Sequence, residues 1–389
     1  MRFIHLADLH IGKRVKEFSL LEDQEYILNQ IIDITKQENA DSVLIAGDLY
    51  DKSVPPGEAV PVLDEFLTKL SEMDKSVFII SGNHDSSERL SFGSRLLKKS
   101  NIHICSTFDG ALTKTTLNDS QGFVNVFTLP FVRPVRVQKY FPEANIDSYE
   151  DAIAQILNDA KEKGQLDPRE RNILLAHQFV TGTTNPILSD SESTIVGTLE
   201  NISYTVFDDF DYVALGHLHC SQKVGRDNVR YAGSPLKYSF SEVDHKKSLT
   251  VVDLDIKEVS IKTVPLTPMR DMRKIKGKLN NLIAPEVCDI GTNDFIHATL
   301  TDDNELYEPL ATLRAYYPNI LHMEHIKETE MVIENDNSSV YERMNKSPLE
   351  LFKDFFEELK QEEFDDQKHE LLSKILKEEG LEEFNYDTH

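Results

Sequence analysis

Cysteine is scarce: Cys105, Cys220 and Cys288 are the whole complement of a 389-residue chain, far apart and without CxxC spacing. That excludes a disulfide framework and a zinc knuckle and fits a reducing cytoplasm. No apolar run approaches the roughly 18 residues of a membrane span. His5, Asp8 and His10 interrupt the N-terminal segment where a signal peptide would need its apolar core. A soluble cytoplasmic protein is therefore expected. The upstream glycine of the phosphate-binding pattern GxxxxGK(S/T) is missing beside both Gly12-Lys13 and Gly277-Lys278. No bound nucleotide is expected, so any dependence on ATP has to come from a partner. Positive charge is also short, with 42 Lys and Arg against 67 Asp and Glu and a net charge of −25. This disfavours a diffuse electrostatic grip on DNA and binding to an anionic membrane surface.

What is present is ordinary globular material, 40% apolar and 28% charged, in a chain long enough for two or three units. Residues 2–7 alternate as a strand, and residues 20–38 carry helical spacing through Leu21, Tyr26, Ile27, Ile31 and Ile34. The pattern repeats. A strand over 42–46 (SVLIA) precedes a helix from Pro55 and Pro56 to about Met73, and a further strand covers 76–80 (SVFII). Strands at 172–176 and 212–215 have the same character. Strands alternating with helices imply parallel βαβ units covered on both faces. The stretches 124–129, 229–232 and 249–254 read as antiparallel or edge strands.

A basic run after Pro265 and Pro268 marks a linker. It leads into a small α/β unit reaching about 333, with strands near 295–300 and 323–332 and a helix around 306–316. The polar stretch 334–340 then separates a tail, 341–389, in which Leu349, Phe352, Phe355, Phe356 and Leu359 share one helical stripe. That tail holds 15 acidic and 7 basic residues, about a third of the net −25.

Five of the thirteen histidines stand in polar clusters directly after apolar strands. The clusters are Asp8-Leu9-His10, Gly47-Asp48-Leu49-Tyr50-Asp51, Gly82-Asn83-His84-Asp85, His177 and Gly216-His217-Leu218-His219. Ligands gather beyond the carboxyl ends of strands in an open α/β sheet. Carboxylate, amide and imidazole without thiolate suit manganese, iron or zinc, and the number of groups points to two ions. In extended backbone Asp8 and His10, and likewise His217 and His219, face the same side. Asp48 is placed to bridge cations about 3.5 to 4 Å apart. Any one motif alone is ordinary turn chemistry. Five in order are hard to obtain otherwise, because burying so many polar groups costs several kcal/mol without a metal. His5, His103, His245, His297, His322, His325, His369 and His389 lack this context and are read as structural.

The ordered set DxH, GDxxD, GNHD, H and GHxH resembles the calcineurin-like metallophosphoesterase superfamily over roughly the first 260 residues. IHLADLHIGK, AGDLYDKSVPP, SGNHDSSERL, YAGSPLKYSFSE and SPLELFKDFFEEL are similar to the bacterial SbcD family of nuclease subunits along the whole chain. The resemblance implies an α/β fold, a four-layer αββα sandwich over 1–264, with a small capping domain over 265–333 and a helical tail. It places one divalent metal, manganese or alternatively magnesium, on Asp8, His10 and His219. A second falls on Asn83, His177 and His217, with Asp48 between them. His84 would act on the scissile phosphate, and Asp51 would orient it.

The implied activity is two-metal hydrolysis of DNA ends and hairpins, by a homodimer working with the SbcC ATPase, which the tail would bind. Lys13, Arg14, Arg89, Arg270, Arg273 and Lys274 are the candidates for touching DNA. A stand-alone phosphoesterase acting on a cyclic nucleotide or a phosphoprotein is the alternative, although it would need neither the 265–333 unit nor the tail. A scaffold that has lost the chemistry ranks last, because every ligand position is filled.

Overall fold

The computed structural model describes residues 1–184, 186–192, 201–256, 258–288 and 293–326, and in the tail 352, 353, 356, 364, 368, 369 and 372. In chain order the main elements begin with β1 (Arg2–Leu6), α1 (Leu21–Gln37), β2 (Ser42–Ala46), α2 (Ala59–Ser71), β3 (Ser76–Ile80) and β4 (Ile102–Cys105). Next come β5 (Thr113–Asp119), β6 (Gly122–Leu129), α3 (Tyr149–Glu162), β7 (Arg171–His177) and β8 (Tyr212–Gly216). The series ends with β9 (Gln222–Val224), β10 (Arg226–Tyr231), β11 (Ser248–Leu254), β12 (Val259–Pro265), β13 (Met272–Gly277), β14 (Phe295–Leu300), α4 (Pro309–Tyr316) and β15 (Ile320–His325).

Two six-stranded sheets result, ordered β12-β11-β1-β2-β3-β4 and β9-β10-β8-β7-β6-β5. Strand alternation decides how they stack. In β1 and β2, Phe3, Leu44 and Ala46 enter a core shared with Val126, Ile173, Leu175 and Ala214 of the second sheet. Ile4, Val43 and Ile45 point the other way, into a core with Ile27, Ile31 and Val62 of α1 and α2. On the far side of the second sheet, Leu174, Val213 and Leu215 pack against Ile153, Ile156 and Leu157 of α3. A capping box at Ser148 and Asp151 starts that helix. The layers are helix, sheet, sheet, helix, and the central strands β2, β7 and β8 are buried along their whole length because they are covered on both faces.

The three strands expected to be antiparallel or at an edge lie inside their sheets, β11 antiparallel to both neighbours and β6 and β10 antiparallel to β5 and β9 on one side. β6 runs parallel to β7, and β10 runs parallel to β8. β11 lies between β1 and β12, antiparallel to both. The basic segment expected as a linker forms β13, in a three-stranded sheet ordered β13-β14-β15. The strand expected over 323–332 begins earlier, as β15, and residues 327–332 lie outside the described residues.

The chain divides into two compact units. The first holds Met1–Lys276, Asn280–Thr299 and Glu308–Met323; the second holds Gly277–Leu279, Leu300–Tyr307 and the described part of Glu324–His389. Among the described residues no helix is long and apolar enough to cross a membrane.

Candidate functional site

Parallel pairing brings the carboxyl ends of β1, β2, β3, β7 and β8 together, with Leu6 opposite Ile45, Ala46 opposite Ile80, and His177 opposite Gly216. The loops that follow are tied backbone to backbone. The Asp8 N–H donates to the Gly47 carbonyl at 3.1 Å, and the His10 N–H donates to that of Asp48 at 2.9 Å. The convergence does not come from extended backbone, as the two-residue spacings suggested. Asp8, His10, Asp48 and His217 have φ of 54°, 44°, 52° and 109°, in the left-handed region. Such residues cost about 1–3 kcal/mol each and persist where the surroundings over-determine them, commonly at functional sites.

Glycine is required where these loops meet. A Cβ on Gly82 would lie 2.1 Å from Asp48 Oδ1, and one on Gly216 would lie 1.9 Å from the Ala46 carbonyl oxygen. Because Gly216 would press on backbone of the facing sheet, Gly216→Ala is expected to cost about 3 kcal/mol. Denaturant unfolding measures this, and a loss below about 1 kcal/mol would mean that the sheets can part here.

The side chains form two groups around one carboxylate. Asp8, His10 and His219 present ligand atoms within 4.8 Å of one another. Asn83 Oδ1 lies 2.9 Å from His177 Nε2 and 3.2 Å from His217 Nδ1. Asp48 Oδ2 sits between the groups, 3.3 Å from His177 Nε2 and 3.7 Å from His10 Nε2. The Asp48 Oδ1 atom accepts the His84 N–H at 2.9 Å.

The donor set fits divalent cations. His10 Nε2 and His219 Nε2 face each other at 3.1 Å, close enough to share either a proton or, with both nitrogens unprotonated, a cation. His10 Nδ1 is buried with no hydrogen-bond partner among the described residues. Burial raises the Asp8 pKa well above the carboxylate range, pushes His10 well below the imidazole value and takes His217 down to about 3. Burial also works against a charged His177, but Asp48 and Asp8 beside it outweigh this and lift it to about 9. His177 in turn holds Asp48 below the carboxylate range, against the effect of burial. His10 and His217 are thus kept neutral, with lone pairs to offer, beside an Asp48 carboxylate that attracts positive charge.

Orientation comes from residues around the cluster. His177 Nδ1 donates to the Ala46 carbonyl at 2.8 Å, leaving Nε2 toward Asn83 and Asp48. Asp85, to which the sequence assigned no role, accepts the N–H groups of Leu49, Tyr50 and Gly82 at 3.2, 3.1 and 3.0 Å. It clamps the β2 and β3 loops together, and burial with the nearby Asp48 charge raises its pKa to about 6. His84 Nδ1 donates to the Asp51 backbone carbonyl at 2.8 Å. Asp51 thus holds His84, as expected of it, through its backbone carbonyl. The Asp51 carboxylate takes Lys13 Nζ at 2.8 Å and lies 3.8 Å from His10 Nδ1. Glu242, Lys247, Glu192 and Ser191 escaped the sequence reading, although Glu242 closes the quoted SFSE run.

Two of the basic candidates, like Lys13, are engaged within the chain. Arg270 is bound to Asp23 at 2.5 Å and Glu22 at 3.1 Å and lies over the Phe295 ring, so its charge is spent within the chain. Arg273 is half-buried against Asp294 at 2.6 Å. Arg14, Arg89 and Lys274 are exposed. His5 is a core residue, 2.9 Å from the Tyr212 hydroxyl. In the tail, the Phe352 and Phe356 rings lie 6.2 and 5.5 Å from that of Phe364, which is buried. Leu349, Phe355 and Leu359 lie outside the described residues.

Comparison with known proteins adds the following. The family model for calcineurin-like phosphoesterases matches residues 1–221, and a model described as the type 5 capsule protein repressor C-terminal domain matches 268–360. The chain is 34% identical to the SbcD subunit of the SbcCD nuclease of Staphylococcus epidermidis over 391 residues, 98% of this chain and all of that one. A dimetal phosphatase structure from Danio rerio aligns with 69% of this chain and 98% of its own, at 13% identity and a TM-score of 0.41. A Thermus thermophilus structure aligns with 67% and 98%, at 12% identity and a TM-score of 0.38.

Proposed function

Because the chain belongs to the SbcD family of calcineurin-like phosphoesterases, we propose that it is the nuclease subunit of an SbcCD-type complex, a hydrolase that cuts DNA phosphodiester bonds. The observation that carries this is the pair of ligand groups joined through Asp48, on a chain similar from end to end to a nuclease subunit. Asp8, His10 and His219 would hold one divalent cation and Asn83, His177 and His217 the other, with Asp48 serving both. When bound, such cations supply Lewis acidity toward a phosphoryl oxygen and acidify water.

The chain's own residues do the rest. Asp85 and the paired loop backbones fix the two groups in place. His84, held at Nδ1 by the Asp51 carbonyl, addresses the phosphate. As water adds to phosphorus and the P–O bond breaks, the departing 3′ or 5′ oxygen takes its proton from this imidazole.

In this reading a homodimer in the cytoplasm works with the SbcC ATPase, which supplies the ATP dependence of double-strand exonuclease action. Single strands and hairpins are cut endonucleolytically. Residues 1–264 carry the chemistry, 265–333 cap the cleft, 334–340 link, and 341–389 dock on SbcC through Phe352 and its neighbours. Arg14, Arg89 and Lys274 are the exposed candidate DNA contacts, and Lys13, Arg270 and Arg273 are candidates that hold ion pairs within the chain. With a net charge of −25, the isolated chain binds DNA weakly, and tight binding requires the metals, the dimer and SbcC.

The test is incubation of the full chain with manganese and a hairpin-ended duplex, beside a cyclic nucleotide and a phosphopeptide. DNA alone is expected to be cut. A chelator should abolish cleavage, and manganese should restore it better than magnesium, as an imidazole-rich site dictates. Turnover of the cyclic nucleotide or phosphopeptide with DNA untouched would establish the stand-alone phosphoesterase instead.

A further inference from the structure

Outside the five motifs, a buried ion pair converges on a single histidine. Glu242 is 0% exposed and Lys247 9%, and Lys247 Nζ lies 2.6 Å from Glu242 Oε2. The other carboxylate oxygen, Oε1, lies 3.1 Å from His219 Nδ1, and Ser191 Oγ lies 2.8 Å from the same nitrogen. Oε1 also accepts the Ser191 hydroxyl, and that of Ser189 at 3.4 Å. His245 Nδ1 stands 3.9 Å from Oε2. Lys247 Nζ donates in addition to the His219 carbonyl at 2.9 Å and to Ser234 Oγ at 2.8 Å. Glu192 Oε1 takes the His219 N–H at 2.6 Å. His219 is thus gripped at its amide, its carbonyl and its ring.

A buried ion pair is a poor source of stability, because desolvating two charges offsets most of their attraction. Its geometry here serves the ring. An ionised carboxylate can only accept, and the Ser191 hydroxyl, whose proton goes to that carboxylate, is left to accept as well, so the His219 proton is drawn to Nδ1 and the lone pair is left on Nε2, the atom that faces His10. Metal-ligating histidines are oriented in this way by groups behind them.

We propose that Glu242 is a positioning residue of the metal centre, setting the ring orientation and tautomer of His219, with Lys247 as its buried counter-charge. The inference rests on reading the cluster as a metal centre. Lys247 also pins the His219 backbone, so the pair couples the β11 end of the first sheet to the loop after β8.

Isothermal titration of manganese into the full-length parent chain, Glu242→Gln and the double variant E242M/K247M tests this. The double variant leaves no orphaned buried charge, so it separates positioning from folding. Of two binding events, one should weaken about 10–100-fold in both variants while the other is unmoved. Parent-like affinity at both sites in the double variant would overturn the proposal while leaving the metal centre standing. A parent chain that binds no manganese would overturn the metal centre itself. Should the variants unfold, nitrogen-15 histidine spectra of the parent chain decide: His219 protonated at Nδ1 is expected, and a proton on Nε2 refutes the assignment.

Discussion

Asp48→Asn is expected to lower kcat on a DNA hairpin at least about 10³-fold, equivalent to about 4 kcal/mol of transition-state stabilisation, with the fold retained. The asparagine oxygen can still accept the His84 N–H that Asp48 Oδ1 accepts at 2.9 Å, so loop geometry survives. The negative charge does not survive. Asp48 Oδ2 lies within 3.7 Å of a histidine from each ligand group, whereas Asp8 sits with His10 and His219 and comes only to 4.0 Å of His177, at the Nδ1 that is turned to the Ala46 carbonyl. Neutralising Asp48 therefore weakens both cation positions together, whereas losing any one histidine weakens only one. Circular dichroism should be parent-like, and manganese titration should show both binding events reduced. Turnover within tenfold of the parent would remove Asp48 from the reaction.

His84→Ala is expected to reduce kcat by about 10²–10⁴, the usual range for a general acid or base, while leaving two manganese ions bound. This outcome separates two roles the geometry allows. His84 hydrogen-bonds the Asp51 carbonyl and stands beside Asn83, which suits a group that acts on phosphate. It also comes within 4.8 Å of ligand atoms of His10 and Asp48, which would suit a ligand. Loss of one bound ion along with activity would make it a ligand. Retention of both ions with loss of kcat assigns it to the phosphate. Parent-like kcat would exclude both.

The sandwich was legible to the degree that its information is local. SVLIA and SVFII read as strands covered on both faces, and Val43 and Leu44 do enter different cores. The antiparallel expectation holds for β11, while β6 and β10 each take one antiparallel and one parallel neighbour, and the parallel one depends on how the chain crosses over and not on local pattern. Arg270 looked like a DNA contact because a basic run was visible, while Asp23, to which it binds, lies 247 residues away.

The sequence by itself determined the donor types, their order after the strands, and the two-sided burial of those strands, because period-two alternation and strand-end motifs are properties of neighbouring residues. Only the tertiary structure decided how the donors meet. His10 faces His219 across 209 residues of chain, Asp8 and His217 are turned by left-handed backbone, and His84 is held by the Asp51 backbone carbonyl. The Glu242 and Lys247 pair behind His219 carries no local motif. Its role exists only once two sheets close over it, because a buried charge is defined by what surrounds it.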